Sequence, residues 1–378
     1  MITRFRLNFA SAIGNAFSHD RIDDMTLATG HYRSAKELPF RLRQQTIIFF
    51  NERQCKQSQP HLLKLRLTNT DLQGFDFLNT LLTTGASTPN HAVAAFVPLP
   101  QQLALAATLS VHPQFTTRAK SDDDIFVANE ALKLLHNVNK VVGPIKANFA
   151  TAFTFQSLNT RQTKRRIADS PPEEIEIEGH IRSVFASKQS LFTQVDDIWQ
   201  VIGWAFNCSI VWKSRWERWK LWVELFLDIV EDDWMERRKM ESDNKSIGLM
   251  RKSLLMQYLR WTNGRTERRR LMRAILTDGG KKATSEFPEV FENETKERKI
   301  RVPQESRELN LDQDQWGDYG IDEEEDEFAD NASPLSGEDV EDIPSPHSND
   351  FGGLESILLR QRFLVLVRKT FLFSRPYC

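Results

Sequence analysis

The sequence predicts an all-α protein with two helical lobes, and three observations support this fold class. Apolar residues recur at helical spacing along two long stretches, residues 61–158 and 189–300. No region is rich in strand patterns, and no clean repeat of fixed period appears. Short polar or proline-containing breaks separate successive helices, which suggests an irregular HEAT-like helical array.

Composition places the chain among globular proteins. Its 378 residues are 40% hydrophobic and 27% charged, which suffices for a sizeable core. The three cysteines exclude a disulfide scaffold and a four-cysteine zinc site. No apolar run reaches the roughly 18 residues that a transmembrane helix requires.

Residues 1–60 are expected to form a partly helical N-terminal segment. Arg4 and Arg6 lie near its start, and no acidic residue precedes Asp20. This pattern fits a mitochondrial presequence, and it fits a short amphipathic first helix equally well. The sequence leaves both interpretations open.

In the first lobe, residues 61–158, two helices have clear boundary signals. Pro100 is suited to the first position of an Ala- and Leu-rich helix that ends near Val111. Ser121 is suited to cap a second helix, which continues to Val142 and stops at Gly143-Pro144.

Residues 159–188 are expected to be a linker between the lobes, because they are basic and rich in Pro and Glu. Lys164, Arg165 and Arg166 have the composition of a nuclear import signal, and Ser170-Pro171 beside them resembles a proline-directed phosphorylation site. Short basic clusters are common in proteins, so the same residues also fit an ordinary solvated linker.

The second lobe, residues 189–300, contains a tryptophan-rich helix at 212–234. A helical wheel places its apolar residues on one broad face, with Lys213, Glu217 and Glu224 on the other. The aromatic stripe consists of Trp212, Trp216, Trp219, Trp222 and Phe226. Its one-sided spacing predicts core packing, whereas the alternative is an exposed aromatic hot spot for a partner protein. Arg215 falls within the same face, where a cation–π contact with Trp219 is expected.

Shorter helices are expected at 248–261 and 265–277, and the second of these is strongly basic. The candidate residues for binding phosphate or nucleic acid are Arg265, Arg268, Arg269, Arg270 and Arg273. The same arginines could instead pair with the acidic tail of this chain, or form a solvated basic face.

Residues 301–350 are expected to be an acidic disordered segment. No Lys or Arg occurs between Glu308 and Leu359, where 17 of the 52 acidic residues lie. The remainder is therefore basic, with 50 basic residues against 35 acidic ones. Such a segment could occupy the basic surface, bind basic partners, or simply keep the protein soluble. The candidate phosphorylation sites in the chain are Ser170, Ser333, Ser336 and Ser345.

Residues 351–378 are expected to form a C-terminal basic amphipathic helix. Apolar periodicity resumes from Leu354 to Phe373, interspersed with Arg360, Arg362 and Arg368. The breadth of the apolar face favours docking on the core, while a partner's groove or a membrane surface are the alternatives.

The sequence carries no H-E-x-x-H, G-x-S-x-G, G-x-G-x-x-G or C-x-x-C motif. The calcium-loop-like spacing from Asp312 to Glu323 has Trp316 and Tyr319 at positions that require other residues. We therefore predict a non-catalytic intracellular scaffold or adaptor protein without metal or cofactor, nuclear or, alternatively, cytoplasmic. A nucleic-acid-binding chromatin- or RNA-associated protein is the alternative, and a helical enzyme whose site is assembled only in the fold is a third hypothesis.

Overall fold

The computed structural model describes residues 32–57, 70–84, 93–155, 181–244, 248–260, 265–296 and 351–373. Within these ranges the secondary structure is helical except for two short strands, which confirms the all-α prediction. The elements, in chain order, are β1 (Ala35–Glu37), α1 (Phe40–Gln57), α2 (Thr70–Thr83), β2 (Ala95–Val97), α3 (Pro100–Leu109), α4 (Asp122–Val141), α5 (Phe149–Ala152), α6 (Leu191–Gln194), α7 (Ile198–Ile210), α8 (Lys213–Asn244), α9 (Leu254–Arg260), α10 (Arg265–Ile275), α11 (Lys281–Glu286) and α12 (Leu354–Phe373).

The two strands pair in parallel, with Ala35 opposite Ala95 and Glu37 opposite Val97. Strands of three residues are too short to show a period of two, so the sequence pattern did not predict them. Arg33 lies beside β1 and donates hydrogen bonds to the carbonyl oxygens of Leu82 (3.2 Å), Thr84 (2.9 Å) and Val93 (2.6 Å). This buried arginine therefore ties the strand pair to the end of α2.

The boundary signals of α3 and α4 are confirmed. Pro100 occupies the first turn of α3, and the Ser121 hydroxyl accepts a hydrogen bond from the Asp124 amide at the start of α4. Gly143 follows α4 with φ of +85°, and a Cβ there would lie 2.7 Å from the ring of Tyr32. Glycine is therefore required at this helix end by both backbone conformation and space.

The central helix α8 shows the predicted division into faces. Trp216, Trp219, Trp222 and Phe226 are buried, and Trp212 is partly buried. The polar residues Lys213, Glu217 and Glu224 are exposed. The aromatic stripe is thus core packing: Trp222 stacks on Phe226 with ring centroids 5.3 Å apart, and Trp219 stacks on Phe291.

Helix α7 is apolar on all sides and packs against α8, α10 and α11. Cys208 lies within it as a buried residue, and burial raises the pKa of its thiol well above the usual value. A helix that is apolar all round requires neighbours on every side, which explains its central position.

The C-terminal helix α12 docks on the core, which confirms the favoured prediction. Leu359, Phe363, Leu366 and Val367 are buried on one side of the helix, and Phe363 contacts Phe206 and Phe226.

Buried side chains from both predicted lobes belong to one hydrophobic cluster. The division into two lobes stays a prediction, and so does a HEAT-like arrangement. None of the helices in the described ranges is both long enough and apolar enough to cross a bilayer.

Candidate interaction surface

Helix α8 lies between α4 and α12, and two polar contacts at nearly the same level of α8 hold the three helices together. Arg218 donates a hydrogen bond from Nη1 to Oδ1 of Asn129 on α4 (2.6 Å). Two residues later, Lys220 Nζ lies 2.9 Å from Oε2 of Glu355 on α12. These contacts place the start of α12 and the first half of α4 on either side of α8.

Four exposed apolar side chains lie within about one helical turn of these two contacts. They are Phe126 on α4, Leu221 on α8, and Leu354 and Leu358 on α12, which are 55%, 36%, 71% and 51% exposed. We refer to these four residues as the three-helix face. Single apolar residues are normal on a protein surface, whereas several at one place are typical of binding surfaces.

The helical periodicity explains why these residues face outward. The buried stripe of α8 includes Trp219 and Phe226, and Leu221 falls on the opposite arc with Glu217 and Glu224. On α12, Leu354 and Leu358 are one turn apart on the arc opposite the buried residues. The same docking that buries one side of α12 therefore exposes this leucine pair.

The surroundings of the three-helix face are acidic. Glu217 and Glu224 are exposed on α8, Glu355 is exposed on α12, and Asp122 and Asp123 are exposed one turn before Phe126.

The basic residues Lys213, Arg218 and Lys220 of α8 are already engaged within the protein. Lys213 donates to the carbonyl of Ser209, Arg218 to Asn129, and Lys220 to both Glu217 and Glu355. The hydrogen bond to Glu355 raises the pKa of Lys220 above its usual value, so this lysine keeps its charge.

Helix α12 is anchored by a buried arginine, Arg360. Its Nη1 donates to the carbonyl oxygens of Ile275 (2.6 Å) and Thr277 (2.9 Å) at the end of α10. Its Nε donates to Ser356, and its guanidinium lies over the ring of Phe206, 4.3 Å from the centroid. Burial lowers the pKa of Arg360, although an arginine keeps its charge at neutral pH.

A second arginine of α12, Arg362, fixes the helix to α8. It forms ion pairs with Asp228 (2.7 Å) and Glu231 (2.9 Å). Burial by itself lowers the pKa of Arg362, but the hydrogen bonds to Glu231 and Asp228 and their charges outweigh it and raise the pKa above its usual value. Together with Arg360, this contact holds the helix that presents Leu354 and Leu358 in one fixed position.

Arg270 and Arg273, which belong to the predicted phosphate-binding set, form ion pairs within the protein surface. Arg270 pairs with Asp197, the residue that caps α7, and Arg273 pairs with Glu286 on α11 through Nη2 at 2.6 Å. Arg268 and Arg269 are exposed on α10. Arg265 begins the helix, and its side chain lies outside the described residues.

The remaining predicted sites lie outside the described residues. They are the nuclear-signal candidates Lys164, Arg165 and Arg166 and the phosphorylation candidates Ser170, Ser333, Ser336 and Ser345. The described residues contain no group of three or more His, Cys, Asp or Glu side chains that could hold a metal ion.

Sequence reasoning did not single out the three-helix face. A helical wheel does show Leu221, Leu354 and Leu358 away from the buried arcs, and this was the available signal. The wheel does not show which helices adjoin α8. The grouping of the four exposed apolar residues around α8 can therefore be recognised only from the fold. No family model, curated protein or solved structure matches this chain.

Proposed function

We propose that this protein is a non-catalytic helical scaffold or adaptor that binds a protein partner through the three-helix face. The observation that carries the proposal is the coincidence of Phe126, Leu221, Leu354 and Leu358 around the two contacts that join α4, α8 and α12. Apolar anchors on a fixed helical surface, surrounded by charged residues, are typical of sites that bind an amphipathic helix.

The proposal includes a nuclear location and an acidic segment that regulates binding. The basic cluster at 164–166 and the charge separation between residues 308–350 and the rest of the chain support these two points. Phosphorylation of Ser333, Ser336 or Ser345 would add further negative charge to this segment. The described residues on both sides of this segment are part of the folded body. Glu294, which precedes the segment, is buried. Glu355, which follows it, contacts Lys220.

The test compares two variants of the intact protein by affinity purification and mass spectrometry. Leu354→Ser with Leu358→Ser should lose the partner, because it removes two exposed apolar anchors without disturbing the core. Met272→Ser, which replaces a 38% exposed residue of α10, should retain it and serves as the control. Recovery of the same partners by both variants, or robust turnover of a small molecule by the purified protein, would overturn the proposal.

A second candidate function, nucleic-acid binding, draws support from the exposed basic residues of α10 and α11. Arg268, Arg269, Lys281 and Lys282 are exposed in this part of the structure. Phosphate contacts give binding that weakens steeply with salt, and an acidic segment in the same chain competes with phosphate. Deletion of residues 308–350 should therefore tighten binding to a nucleic acid at low ionic strength. If the protein that lacks residues 308–350 showed no salt-dependent binding to nucleic acid at low ionic strength, this function would be excluded.

A further inference from the structure

Helices α8 and α12 run in parallel along their contact. Lys220 of α8 pairs with Glu355 in the first turn of α12, and further along both helices Arg362 pairs with Asp228 and Glu231. We refer to the outward side of this contact as the α8–α12 seam. Its residues are Glu217, Leu221, Glu224, Asp228 and Glu231 of α8 and Leu354, Glu355, Leu358, Arg362 and Val365 of α12, and all of them are exposed or partly exposed.

Each of the two ion-pair clusters on the seam has two carboxylates for one cation. Lys220 is shared between Glu217 and Glu355, and Arg362 is shared between two carboxylates of α8 in the same way. In the first cluster the carboxylates are also the more accessible groups, because the side chains of Glu217 and Glu355 are 66% and 64% exposed and that of Lys220 is 20% exposed. Two negative charges and one positive charge leave one negative charge in each cluster.

The negative charge of the seam is continuous along α8. Glu224 is exposed and lies between the two clusters, so it adds a third negative charge. The acidic side of α8 thus extends from residue 217 to residue 231, a length of about 21 Å at 1.5 Å per residue. Arg368 and Lys369 follow the second cluster on α12 and mark the end of the acidic stretch.

The apolar residues of the seam lie mainly on its α12 side. Leu354 and Leu358 are exposed there, Val365 is partly exposed, and steps of four and seven residues place all three on one arc of α12. Leu221 adjoins them from α8, between two exposed glutamates. A helix that lies along the seam therefore meets leucines on one flank and carboxylates on the other.

We propose that the α8–α12 seam selects, from a partner protein, an amphipathic helix whose apolar stripe is flanked on one side by Lys or Arg residues. The stripe packs on Leu354, Leu358 and Leu221, and the cationic flank lies along Glu217 and Glu224. Charge complementarity identifies this occupant, because an acidic helix would bring like charges to the three negative charges of the seam. The inference rests on the proposed function, since it gives the chemistry of the segment that the three-helix face binds.

Two synthetic peptides of about 18 residues test the proposal with the full-length protein. Both carry leucines at helical steps of three and four, and the positions along one flank are lysine in the first peptide and glutamate in the second. Fluorescence anisotropy at low salt should show that the lysine peptide binds at least about tenfold more tightly, and added salt should reduce this difference. Equal affinities, or tighter binding of the glutamate peptide, would overturn the proposal.

A pair of protein variants tests the carboxylates. Glu217→Gln with Glu224→Gln should weaken binding of the lysine peptide by about fivefold, because two exposed negative charges are removed from the seam. Asp76→Asn with Glu292→Gln removes two exposed carboxylates elsewhere on the protein and should leave the affinity unchanged. Equal weakening in both variants would show a general attraction to acidic surface, which contradicts the proposal.

A second pair of variants tests the apolar contacts. Leu354→Ser with Leu358→Ser should weaken binding of the lysine peptide by more than about tenfold, because the leucine stripe of the peptide loses two apolar contacts. Met272→Ser on α10 should leave the affinity unchanged. If the leucine variant bound the peptide as tightly as the unmodified protein, charge alone would hold the peptide and the proposed helix docking would be wrong.

Photo-cross-linking locates the bound peptide. A benzophenone amino acid replaces Leu358 in one protein and Met272 in a control protein. After irradiation, mass spectrometry should find the lysine peptide joined to the first protein and not to the second. Products that join two copies of the protein through position 358 would show that a second copy occupies the seam, and this result would contradict the proposal.

The two proposals fail in different ways. If Leu354→Ser with Leu358→Ser loses a cellular partner while both peptides bind the unmodified protein equally, the proposed function stands and the selection of a basic helix fails. If the lysine peptide cross-links at position 358 and the leucine variant nevertheless retains every cellular partner, the selectivity of the seam stands and the three-helix face is not the partner site.

Discussion

Arg215 and Glu294 form an ion pair in the protein interior, with Nε of the arginine 2.8 Å from Oε1 of the glutamate. The same carboxylate oxygen accepts a hydrogen bond from the indole of Trp219 (2.6 Å). The remaining donors of Arg215 bond to the hydroxyl of Thr116 (2.8 Å) and the carbonyl of Val111 (2.7 Å). One buried network thus joins α8, the turn after α3, and the residues that precede the acidic segment.

Replacing Glu294 by Ala should destabilise the protein by about 3–5 kcal/mol, because the charge of Arg215 would remain buried without its counter-charge. The free energy of unfolding in urea measures this change. Glu292→Ala, at an exposed position two residues away, is the control and should change little. A double variant with Met at 215 and 294 should be less destabilised than the single variant, because it buries no charge. Equal stability of the two alanine variants would contradict the prediction.

Trp219→Ala should cost about 3–5 kcal/mol, because it removes a fully buried aromatic side chain from the core. It also removes the indole donor to Glu294. Thermal unfolding and protease sensitivity report the loss. Glu217→Ala, two residues earlier on the exposed arc of α8, should leave both unchanged. Normal stability of Trp219→Ala together with loss of a partner would show that the aromatic stripe acts as an interface.

The sequence predicted the buried face of α8 because the spacing of apolar residues is local information, although the helix continues ten residues beyond the predicted end at Trp234, to Asn244. The period of the apolar residues determines which side of a helix is buried, so the positions of Trp216, Trp219 and Phe226 followed from spacing alone. The cation–π contact of Arg215 with Trp219 was also predicted, and the guanidinium carbon lies 5.9 Å from the ring centroid. Side chains one turn apart on the same helix are neighbours regardless of how the rest of the chain folds.

Contacts between distant segments could not be predicted in the same way. Glu294 lies far from Arg215 in the sequence, and no local pattern marks it as a buried acid. Arg360 is one of several arginines in the C-terminal helix, and nothing in its local sequence indicates that it is buried against the carbonyl groups at the end of α10. Carbonyls at a helix end need donors, but the sequence does not say which side chain supplies them.

Changing Lys164, Arg165 and Arg166 together to Ala should move the protein from the nucleus to the cytoplasm, because an import receptor binds the positive charges of such a cluster. Fluorescence microscopy of the tagged full-length protein measures the ratio of nuclear to cytoplasmic signal. Lys281→Ala with Lys282→Ala removes an exposed basic pair of α11 and should leave the ratio unchanged. An unaltered distribution of the triple variant would rule out an import signal at 164–166.

Glu236 gives a prediction about pH. Burial raises the pKa of its carboxyl above the usual 4.5, although the amide of Ile145 and the charge of Lys146 act in the opposite direction. Its Oε2 is buried and has no hydrogen-bond partner among the described residues. The folded protein therefore holds this proton to a higher pH than the unfolded chain does. It follows that the free energy of unfolding falls as the pH rises from about 4.5 through the raised pKa.

Glu236→Gln keeps the acceptor for the Ile145 amide and removes the charge, so it should make the protein more stable at pH 7. The free energy of unfolding of Glu236→Gln should exceed that of the unmodified protein by an amount that grows between pH 4.5 and the raised pKa and then stays constant. The reason is that the glutamine cannot lose a proton, whereas the glutamate does. Urea unfolding at a series of pH values measures both effects. Glu217→Gln, at an exposed position of the same helix, should follow the unmodified protein throughout. A Glu236→Gln protein that is less stable at pH 7 would show that the attraction of Lys146 outweighs the cost of burying the carboxylate.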